Sequence, residues 1–455
     1  MADTTIPTAA AEAARRSTSL YRAVWRWHFY AGLLTLPFLV LLAVTGGLYL
    51  FKDEIDGFLY RDLKRVEAQA IAQVAPSAQV AAALRAVPGT MFKYLPPADA
   101  GASAEIGVKT AAGEKLSVFV DPYDGRVLGQ VPDRGTAMWV VRQLHSLAFF
   151  GPYARGVIEI AGGWMILLVA TGVYLWSPRG RTDGALSVRG SPKRRVFWRD
   201  LHAVTGVFVG GFIAFLAVTG MPWSVVWGDY VNQWANGRNF GYPAGVRVAV
   251  PMSDEHLAHT QATTWSLEQA QMPQSGAAAG GRPIGLDAAV ATFTRLGLAP
   301  GYAVNPPAGP AGVYTASVYP DDLSRQRVVH LDQYSGRPLI DMGYADYGPA
   351  GRAMEWGINT HMGQQYGLAN QLVLALACIA MVLLAVSAAI MWWKRRPAGS
   401  LGVPPMPADP AALRGVIAIL AIGGIIYPLV GASMIAIALV DRLVMRRRRV
   451  RLRPA

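Results

Sequence analysis

The chain has 455 residues, of which 53% are hydrophobic and 16% charged, and its formal net charge is +13. This balance is too apolar for an ordinary soluble protein of this length. A single cysteine, Cys378, excludes a disulfide framework, a CxxCH haem attachment and a thiolate metal site.

The longest apolar stretches predict an integral membrane protein. A helix needs about 20 consecutive apolar residues to cross the hydrocarbon core of a bilayer, and four runs reach that length. A fifth run, 413–441, contains Gly423, Gly424 and Pro428, which favours a hairpin of two short helices over one long span. The first run has no small-residue cleavage site after it, so we expect it to be retained in the membrane.

The chain therefore divides into short basic segments, membrane helices and two larger polar segments. The fold class implied is a mainly α membrane protein with small α+β domains outside the membrane. The predicted segments are a cytoplasmic tail at 1–22, a first span at 23–51, a periplasmic domain at 52–136, an interfacial helix at 137–154, a second span at 155–177, a cytoplasmic loop at 178–200, a third span at 201–227, a second periplasmic domain at 228–360, an interfacial segment and fourth span at 361–393, a cytoplasmic loop at 394–412, the hairpin at 413–441 and a basic cytoplasmic tail at 442–455.

Local patterns within the two polar segments predict one helix and two strands in each. The helices are expected near 76–87 and 286–297, and the strands near 104–109, 115–120, 313–319 and 326–332.

The positive charge lies in the segments placed in the cytoplasm. The termini and the connections 178–200 and 394–412 hold the excess of Lys and Arg. In 52–150 and 228–360, basic residues do not outnumber acidic ones. By the positive-inside rule, the two larger segments face the periplasm of a bacterial inner membrane. A basic chain also suits nucleic-acid binding, but charge confined to short connections favours a membrane anchor, with the Arg-rich end touching anionic lipid headgroups.

The chain contains an internal duplication, first visible in its histidines. His28 precedes Thr45, and His202 precedes Thr219, by seventeen residues each, and a glycine follows each threonine. Along a helix this interval is roughly 26 Å, close to the thickness of the hydrocarbon core. Each histidine is therefore expected near the cytoplasmic face and each Thr-Gly pair near the other face.

A second pair of histidines repeats in the same way. His145 stands thirty-one residues before Trp176, and His361 stands thirty-one before Trp392. Both are expected on the periplasmic side of their helices. A repeat of this length is a duplicated domain-sized unit rather than a solenoid.

The four repeated histidines predict two haem sites. Two opposed imidazoles in a helix bundle form an axial pair for a haem iron. Their depths pair His28 with His202 on the cytoplasmic side and His145 with His361 on the periplasmic side, which gives two non-covalent b-type haems in a four-helix core. The alternative for any one of them alone is a structural histidine that hydrogen-bonds a headgroup or a carbonyl.

Other residues near these histidines are candidates for the same sites. Arg26, Arg142 and Arg199 suit haem propionates because guanidinium matches carboxylate as a fork, although interfacial arginines also snorkel without a ligand. Glycines such as Gly46 and Gly172 either leave room for a porphyrin or allow ordinary helix packing. The aromatic residues Trp223, Trp227, Tyr230 and Trp234 are expected to continue the third helix outward as an interface belt. HLAH at 256–259 has the spacing of a metal site but no counterpart in the first half.

Several motifs together resemble a known family. They are WRWHFYAGLLTLPFLVLLAVTGGLYLFKDEID from residue 25, VDPYDGRVLG at 120–129, LHSLAFFG at 144–151 and ATGVYLWSPRG from residue 170. This set resembles PepSY-associated transmembrane proteins over roughly 20–445. The resemblance implies PepSY domains outside the membrane, a role in siderophore and iron uptake, and haem ligation by His28, His145, His202 and His361. The second half departs from the pattern with WKRRP at 393–397 and VSAAI at 386–390.

The expected function is therefore that of an oxidoreductase, a di-haem protein that reduces ferric iron in a periplasmic siderophore or other ferric chelate. Its electron donor would be a quinol or a cytoplasmic reductase. The sequence itself does not identify the donor, since it has no GxGxxG nucleotide fingerprint. No residue is assigned as a catalytic acid, base or nucleophile. The alternative is a non-redox PepSY membrane protein that binds or regulates an envelope partner and keeps its histidines for structure.

Overall fold

The computed structural model describes residues 9–177, 186–236, 252–256, 261, 263–268, 270–276, 281–404 and 410–451. The helices are α1 Ala9–Tyr49, α2 Lys52–Leu59, α3 Arg61–Lys64, α4 Pro76–Ala86, α5 Ala137–His145, α6 Pro152–Trp176, α7 Arg195–Gly220, α8 Trp227–Asn236, α9 Gly285–Arg295, α10 Pro349–His361, α11 Gly367–Arg395, α12 Pro410–Ile426 and α13 Pro428–Arg451. The strands are β1 Gly89–Leu95, β2 Ala104–Thr110, β3 Lys115–Val120, β4 Val127–Pro132, β5 Met252–His256, β6 Gln271–Pro273, β7 Ala303–Asn305, β8 Val313–Val318, β9 Arg327–Asp332 and β10 Pro338–Gly343.

The chain folds into two units, and each is formed from distant parts of the sequence. The first, which we term the membrane unit, comprises Met1–Gly47, Leu144–Asp229 and Val373–Ala455. The second, the sheet unit, comprises Leu48–Gln143 and Tyr230–Leu372.

Within the described part of the chain, four helical stretches are long and apolar enough to cross a membrane. They are Ser19–Tyr49, Pro152–Trp176, Arg195–Trp223 and Gly367–Arg395. The prediction of a multi-pass membrane protein with four principal spans is thereby confirmed. The first helix begins further back than expected, at Ala9, so that the predicted tail at 1–22 and the first span share one helix.

The membrane unit has two packed cores. One joins α1, α6, α7 and α11 through Ala43, Met165, Ile213 and Met381. The other joins α1 and α6 to α12 and α13, where Trp164 stacks against Trp27 with ring centroids 6.3 Å apart.

Small residues allow α13 to pack closely against its neighbours. A Cβ placed on Gly163 of α6 would overlap the side chain of Val430, and one placed on Gly424 of α12 would lie 2.7 Å from the Cα of Gly431. Close backbone approach of this kind is how helices associate in lipid. The apolar run at 413–441 is thus two helices that separate at Tyr427, and the apolar part of the second, Pro428–Leu439, is too short to count among the candidate spans.

The sheet unit holds one antiparallel sheet of eight strands in the order β10-β9-β8-β7-β1-β2-β3-β4. The expectation of two separate small domains is wrong, because the two halves join edge to edge where Tyr94 of β1 pairs with Val304 of β7. Pairing covers two strand edges that would otherwise expose unpaired backbone groups.

Two helices cover one face of this sheet. Val80 and Ala83 of α4 pack on the strands of the first half, and Leu286 and Val290 of α9 contact the cores of both halves. Asp287 links the helices by accepting hydrogen bonds from the backbone N–H of Ser77 at 2.8 Å and from its hydroxyl at 2.6 Å. The predicted helices and strands in this unit are present. Six further strands among the described residues were not predicted, namely β1, β4, β5, β6, β7 and β10, and proline and glycine interrupt the patterns of β4 and β10.

Two connections differ from the sequence prediction. The interfacial helix expected at 137–154 ends at His145, and Gly151, with φ +88°, turns the chain into α6. The third span ends at Gly220, and a 3-10 turn at Met221–Trp223 separates it from α8. The aromatic residues from Trp223 to Trp234 therefore do not lie on one continuous helix.

Candidate functional site

A cavity of about 810 Å³ lies among α1, α6, α7 and α11 of the membrane unit. His28 of α1 and His202 of α7 both line it, and they lie near enough to interact electrostatically. Most of the other lining groups are apolar, including Leu36, Val169 and Ile213. The structure therefore brings together two histidines that the duplication predicts as a pair.

The hydrogen bonds around His28 determine which of its ring nitrogens is free. Its Nδ1 lies 2.9 Å from Oγ1 of Thr171 on α6, and that hydroxyl lies 2.7 Å from the carbonyl oxygen of Leu167. Because a carbonyl only accepts, the hydroxyl proton points to Leu167, and the hydroxyl oxygen accepts from His28. Nδ1 of His28 thus carries a proton, and in the neutral imidazole Nε2 then has a free lone pair.

Nδ1 of His202 also carries a proton, but it donates to a different kind of acceptor. Its Nδ1 lies 3.2 Å from the carbonyl oxygen of Leu384 on α11, so Nδ1 must be the donor. The hydroxyl of Ser387 donates to the same carbonyl at 2.8 Å. Two neutral imidazoles with free Nε2 atoms therefore line one apolar cavity. That is the protonation state in which histidine binds a metal.

A glycine makes room for the ring of His28. A Cβ added to Gly172 would lie 3.4 Å from Cε1 of His28, so a side chain with further atoms would compete with the imidazole for the same space. Thr171 and Gly172 thus form a cradle, in which the hydroxyl holds Nδ1 and the glycine leaves space for the ring.

The same cradle recurs at His145, elsewhere in the membrane unit. Thr45 Oγ1 lies 2.9 Å from His145 Nδ1 and donates its own proton to the carbonyl of Leu41 at 2.6 Å. A Cβ on Gly46 would lie 3.2 Å from Cε1 of His145. His145 is therefore also protonated on Nδ1, and the Thr-Gly pair at 45–46 holds a histidine from another helix.

The chain also matches a known family over most of its length. The model of the family described as PepSY-associated TM region matches residues 25–395. The chain belongs to this family. No curated protein matches the chain significantly.

The match of this PepSY-TM chain spans all four repeated histidines. His361 is the last residue of α10, and it belongs to the sheet unit. Its pairing with His145 stays a prediction. Of the HLAH motif at 256–259, only His256 lies in a described element, the end of β5, and the rest falls outside the described residues.

The three arginines singled out in the sequence have different surroundings. Arg199 lines the cavity. Arg26 is 5% exposed and hydrogen-bonds the carbonyl of Pro404 and, at 3.2 Å, the hydroxyl of Tyr30. Arg142 belongs to the sheet unit and lies over the ring of Trp139 at 4.7 Å. Only Arg199 therefore belongs to this cavity.

Three further arginines of the PepSY-TM chain line the cavity, and sequence reasoning missed them. Arg189 and Arg199 both bind the carboxylate of Asp200, with closest distances of 2.8 and 2.7 Å. Arg395 lies over Trp25 at 4.8 Å and donates to the carbonyl of Gly402, and Arg195 acts on it electrostatically. Four cations and one carboxylate leave this rim of the cavity positively charged.

The donor set suits a haem better than a bare metal ion. Within the described residues there is no group of three or more His, Cys, Asp or Glu that could hold a metal ion. Structural and catalytic ions need about three or four protein ligands, whereas a haem iron needs only axial ones. Two imidazoles, a glycine cradle, apolar walls and a cationic rim fit that group.

Proposed function

We propose that this PepSY-TM protein is a haem-containing electron-transfer protein of the bacterial inner membrane, which reduces ferric iron in periplasmic siderophore or other ferric-chelate complexes. The observation that carries the proposal is the pair His28 and His202, which line one cavity with Nε2 of each imidazole free. When bound between two imidazoles, a b-type haem supplies a one-electron carrier.

The chain's own residues have separate roles in this proposal. His28 and His202 would hold the iron of the inner haem, and the apolar walls would exclude water from it. Arg195 and Arg395 are the best candidates for the two propionates, because Asp200 already binds Arg189 and Arg199. A guanidinium binds a carboxylate through two parallel hydrogen bonds.

A second haem completes the proposed route across the membrane. His145 has the same Thr-Gly cradle as His28, and the duplication pairs it with His361. The electron would come from a quinol or a cytoplasmic reductase, with His28 and His202 serving the side nearer that donor and His145 and His361 the side nearer the chelate. Reduction of Fe(III) in the chelate to Fe(II) would weaken its binding to hard oxygen donors, so the iron would be released.

The test uses the purified full-length chain in detergent. We expect a reduced-minus-oxidised spectrum of b-type haem with about two haems per chain. Under anaerobic conditions, the reduced protein should be reoxidised by a ferric siderophore faster than by the iron-free ligand, and a ferrous trap should detect Fe(II).

Two outcomes would contradict parts of this proposal. Protein purified from haem-sufficient cells without haem absorbance would favour the alternative, a non-redox membrane protein that binds an envelope partner. Reoxidation that proceeds equally with iron-free ligand would keep the electron transfer but remove the ferric chelate as its acceptor.

A further inference from the structure

We propose that Thr171 is a positioning residue that makes the two inner axial ligands unequal, so that the donor strength of His28 depends on a side-chain hydroxyl while that of His202 depends on the backbone. This inference rests on the proposed haem at His28 and His202. It adds an assignment that the duplication conceals, because the two halves hold equivalent histidines by different groups.

The ring of His28 belongs to a chain of hydrogen bonds. The Thr171 hydroxyl donates to the carbonyl of Leu167 at 2.7 Å and also approaches that of Leu168 at 3.2 Å. The proton of the Thr171 hydroxyl is therefore donated to the backbone, and the lone pairs of the hydroxyl oxygen are available to Nδ1 of His28. Hydrogen bonds in such a chain polarise one another, which makes this hydroxyl a better acceptor than an isolated one.

The other half of the duplication holds its histidine differently. Ser387 is equivalent to Thr171, since each stands five residues before the repeated tryptophan. The Ser387 hydroxyl donates to the carbonyl of Leu384, and His202 donates to that same carbonyl directly. The carbonyl belongs to helix α11 and stays in place when the serine changes. His202 therefore keeps its acceptor without a side chain, whereas His28 does not.

The acceptor at Nδ1 of a histidine affects how strongly its Nε2 binds iron. A metal-bound histidine becomes a stronger donor when its other ring N–H has a hydrogen-bond acceptor, and a stronger donor stabilises the ferric form. Removing the Thr171 hydroxyl would leave the N–H of His28 without this acceptor in an apolar wall, which is costly. The ring would then bind less firmly and in a less defined orientation.

The experiment compares Thr171→Val, Thr171→Ser and Ser387→Ala in the full-length chain purified with haem. We measure haem per chain, the midpoint potential of each haem by spectroelectrochemical titration, and the electron paramagnetic resonance spectrum of the ferric state. We expect Thr171→Val to move one midpoint potential to a more positive value and to change one of the ferric signals. Thr171→Ser, which keeps the hydroxyl, should resemble the wild type, and so should Ser387→Ala.

The outcomes separate this inference from the function beneath it. A wild-type chain without haem contradicts the proposed function itself. Thr171→Val with full haem content and unchanged potentials and signals overturns the inference and leaves the function intact, and a Ser387→Ala effect as large as that of Thr171→Val would do the same. If Thr171→Val yields no folded protein, Thr171→Ala, which is smaller and equally without a hydroxyl, decides the question by the same readouts.

Discussion

Two histidines in different regions of the molecule make nearly the same hydrogen bond for different reasons. In the membrane unit, Nδ1 of His28 lies 2.9 Å from the Thr171 hydroxyl, and in the sheet unit Nδ1 of His330 lies 2.8 Å from the Thr315 hydroxyl. His330 and Thr315 are direct cross-strand partners on β9 and β8, and His330 is 1% exposed. His28 instead lines a large cavity that it shares with a second imidazole.

The comparison shows that a threonine bonded to a histidine is not by itself the mark of a ligand. Around His330 the sheet and its neighbouring side chains fill the space, and the hydrogen bond satisfies a buried polar group. Around His28 the same bond leaves Nε2 free beside an apolar cavity and a glycine cradle. The cavity and the second imidazole, rather than the Thr–His bond, indicate the function.

The largest effect is expected from removing a ligand. His202→Ala should lower the haem content by about one haem per chain and leave the other, because His145 and His361 do not depend on it. His330→Gln is the matched control, since it removes a buried histidine from the sheet unit and should leave the haem content unchanged. Haem per chain after extraction into pyridine measures both. Unchanged content in His202→Ala would show that His202 is as structural as His330.

Filling the cradle should have the next largest effect. Gly172→Leu places three more carbons beyond a Cβ that already lies 3.4 Å from the ring of His28, so the inner haem should be lost from most of the molecules. The other half already carries a Cβ at the equivalent position, Ala388. Gly172→Ala should therefore be tolerated, with near-normal haem content, and both variants can be compared by their absorbance spectra. Full occupancy in Gly172→Leu would contradict the placement of the haem in this cavity.

The sheet histidine has an effect of its own, on stability against acid. Burial lowers the pKa of His330 from 6.5 to about 3. Between these two pH values the unfolded state binds a proton that the folded state does not bind. The stabilisation is complete above pH 6.5 and is lost progressively as the pH falls toward 3. At 1.36 kcal/mol per pH unit, the free energy of unfolding of the sheet should fall by about 2 kcal/mol between pH 6.5 and pH 5.

Hydrogen exchange of the β8 and β9 amides in the full-length chain measures this slope. His330→Gln keeps a hydrogen-bonding side chain opposite Thr315 but cannot titrate, so its slope should be smaller. Burial also raises the pKa of Glu355 in the same unit above 4.5, which makes stability fall as the pH rises above that value. The difference between wild type and His330→Gln isolates the histidine, and equal slopes would show that His330 titrates normally in the fold.

The smallest effect is expected at the cationic rim. Arg395→Gln should weaken haem binding by about 1 kcal/mol, or roughly fivefold, because a partly exposed ion pair with a propionate is screened by solvent. Arg26→Gln is the control, since Arg26 binds the Pro404 carbonyl and does not line the cavity. Competition with apomyoglobin for haem ranks the haem affinities of the two variants. A larger loss of affinity in Arg26→Gln than in Arg395→Gln would contradict the assignment of a propionate to Arg395.

Part of this architecture was predictable from the sequence alone. The spans follow from apolar length, and β2, β3, β8 and β9 follow from short runs of strand-forming residues bounded by turns, since both are local properties. The union of the two halves into one sheet was not predictable, because it depends on the pairing of Tyr94 with Val304, far apart in the chain.

The candidate site, too, was only partly predictable from the sequence. The equal spacing of His28 and His202 revealed the pair, because duplication leaves a sequence signal. The cradle was hidden, since Thr171 lies 143 residues from His28 and its counterpart Ser387 had changed. The only available signal was that Thr-Gly occurs at 171–172 as it does at 45–46. The rim arginines were missed because Arg189 and Arg395 approach the cavity from different segments.

The most direct test of the central claim, that His28 and His202 bind one iron, is the electron paramagnetic resonance spectrum of the oxidised full-length chain and of His28→Ala and His202→Ala. The wild type should show low-spin ferric haem with two imidazole ligands. Both variants should lose the same low-spin signal, or convert it to a high-spin signal, because each removes a ligand of the same iron. Loss of different signals in the two variants, or of none, would contradict the shared site.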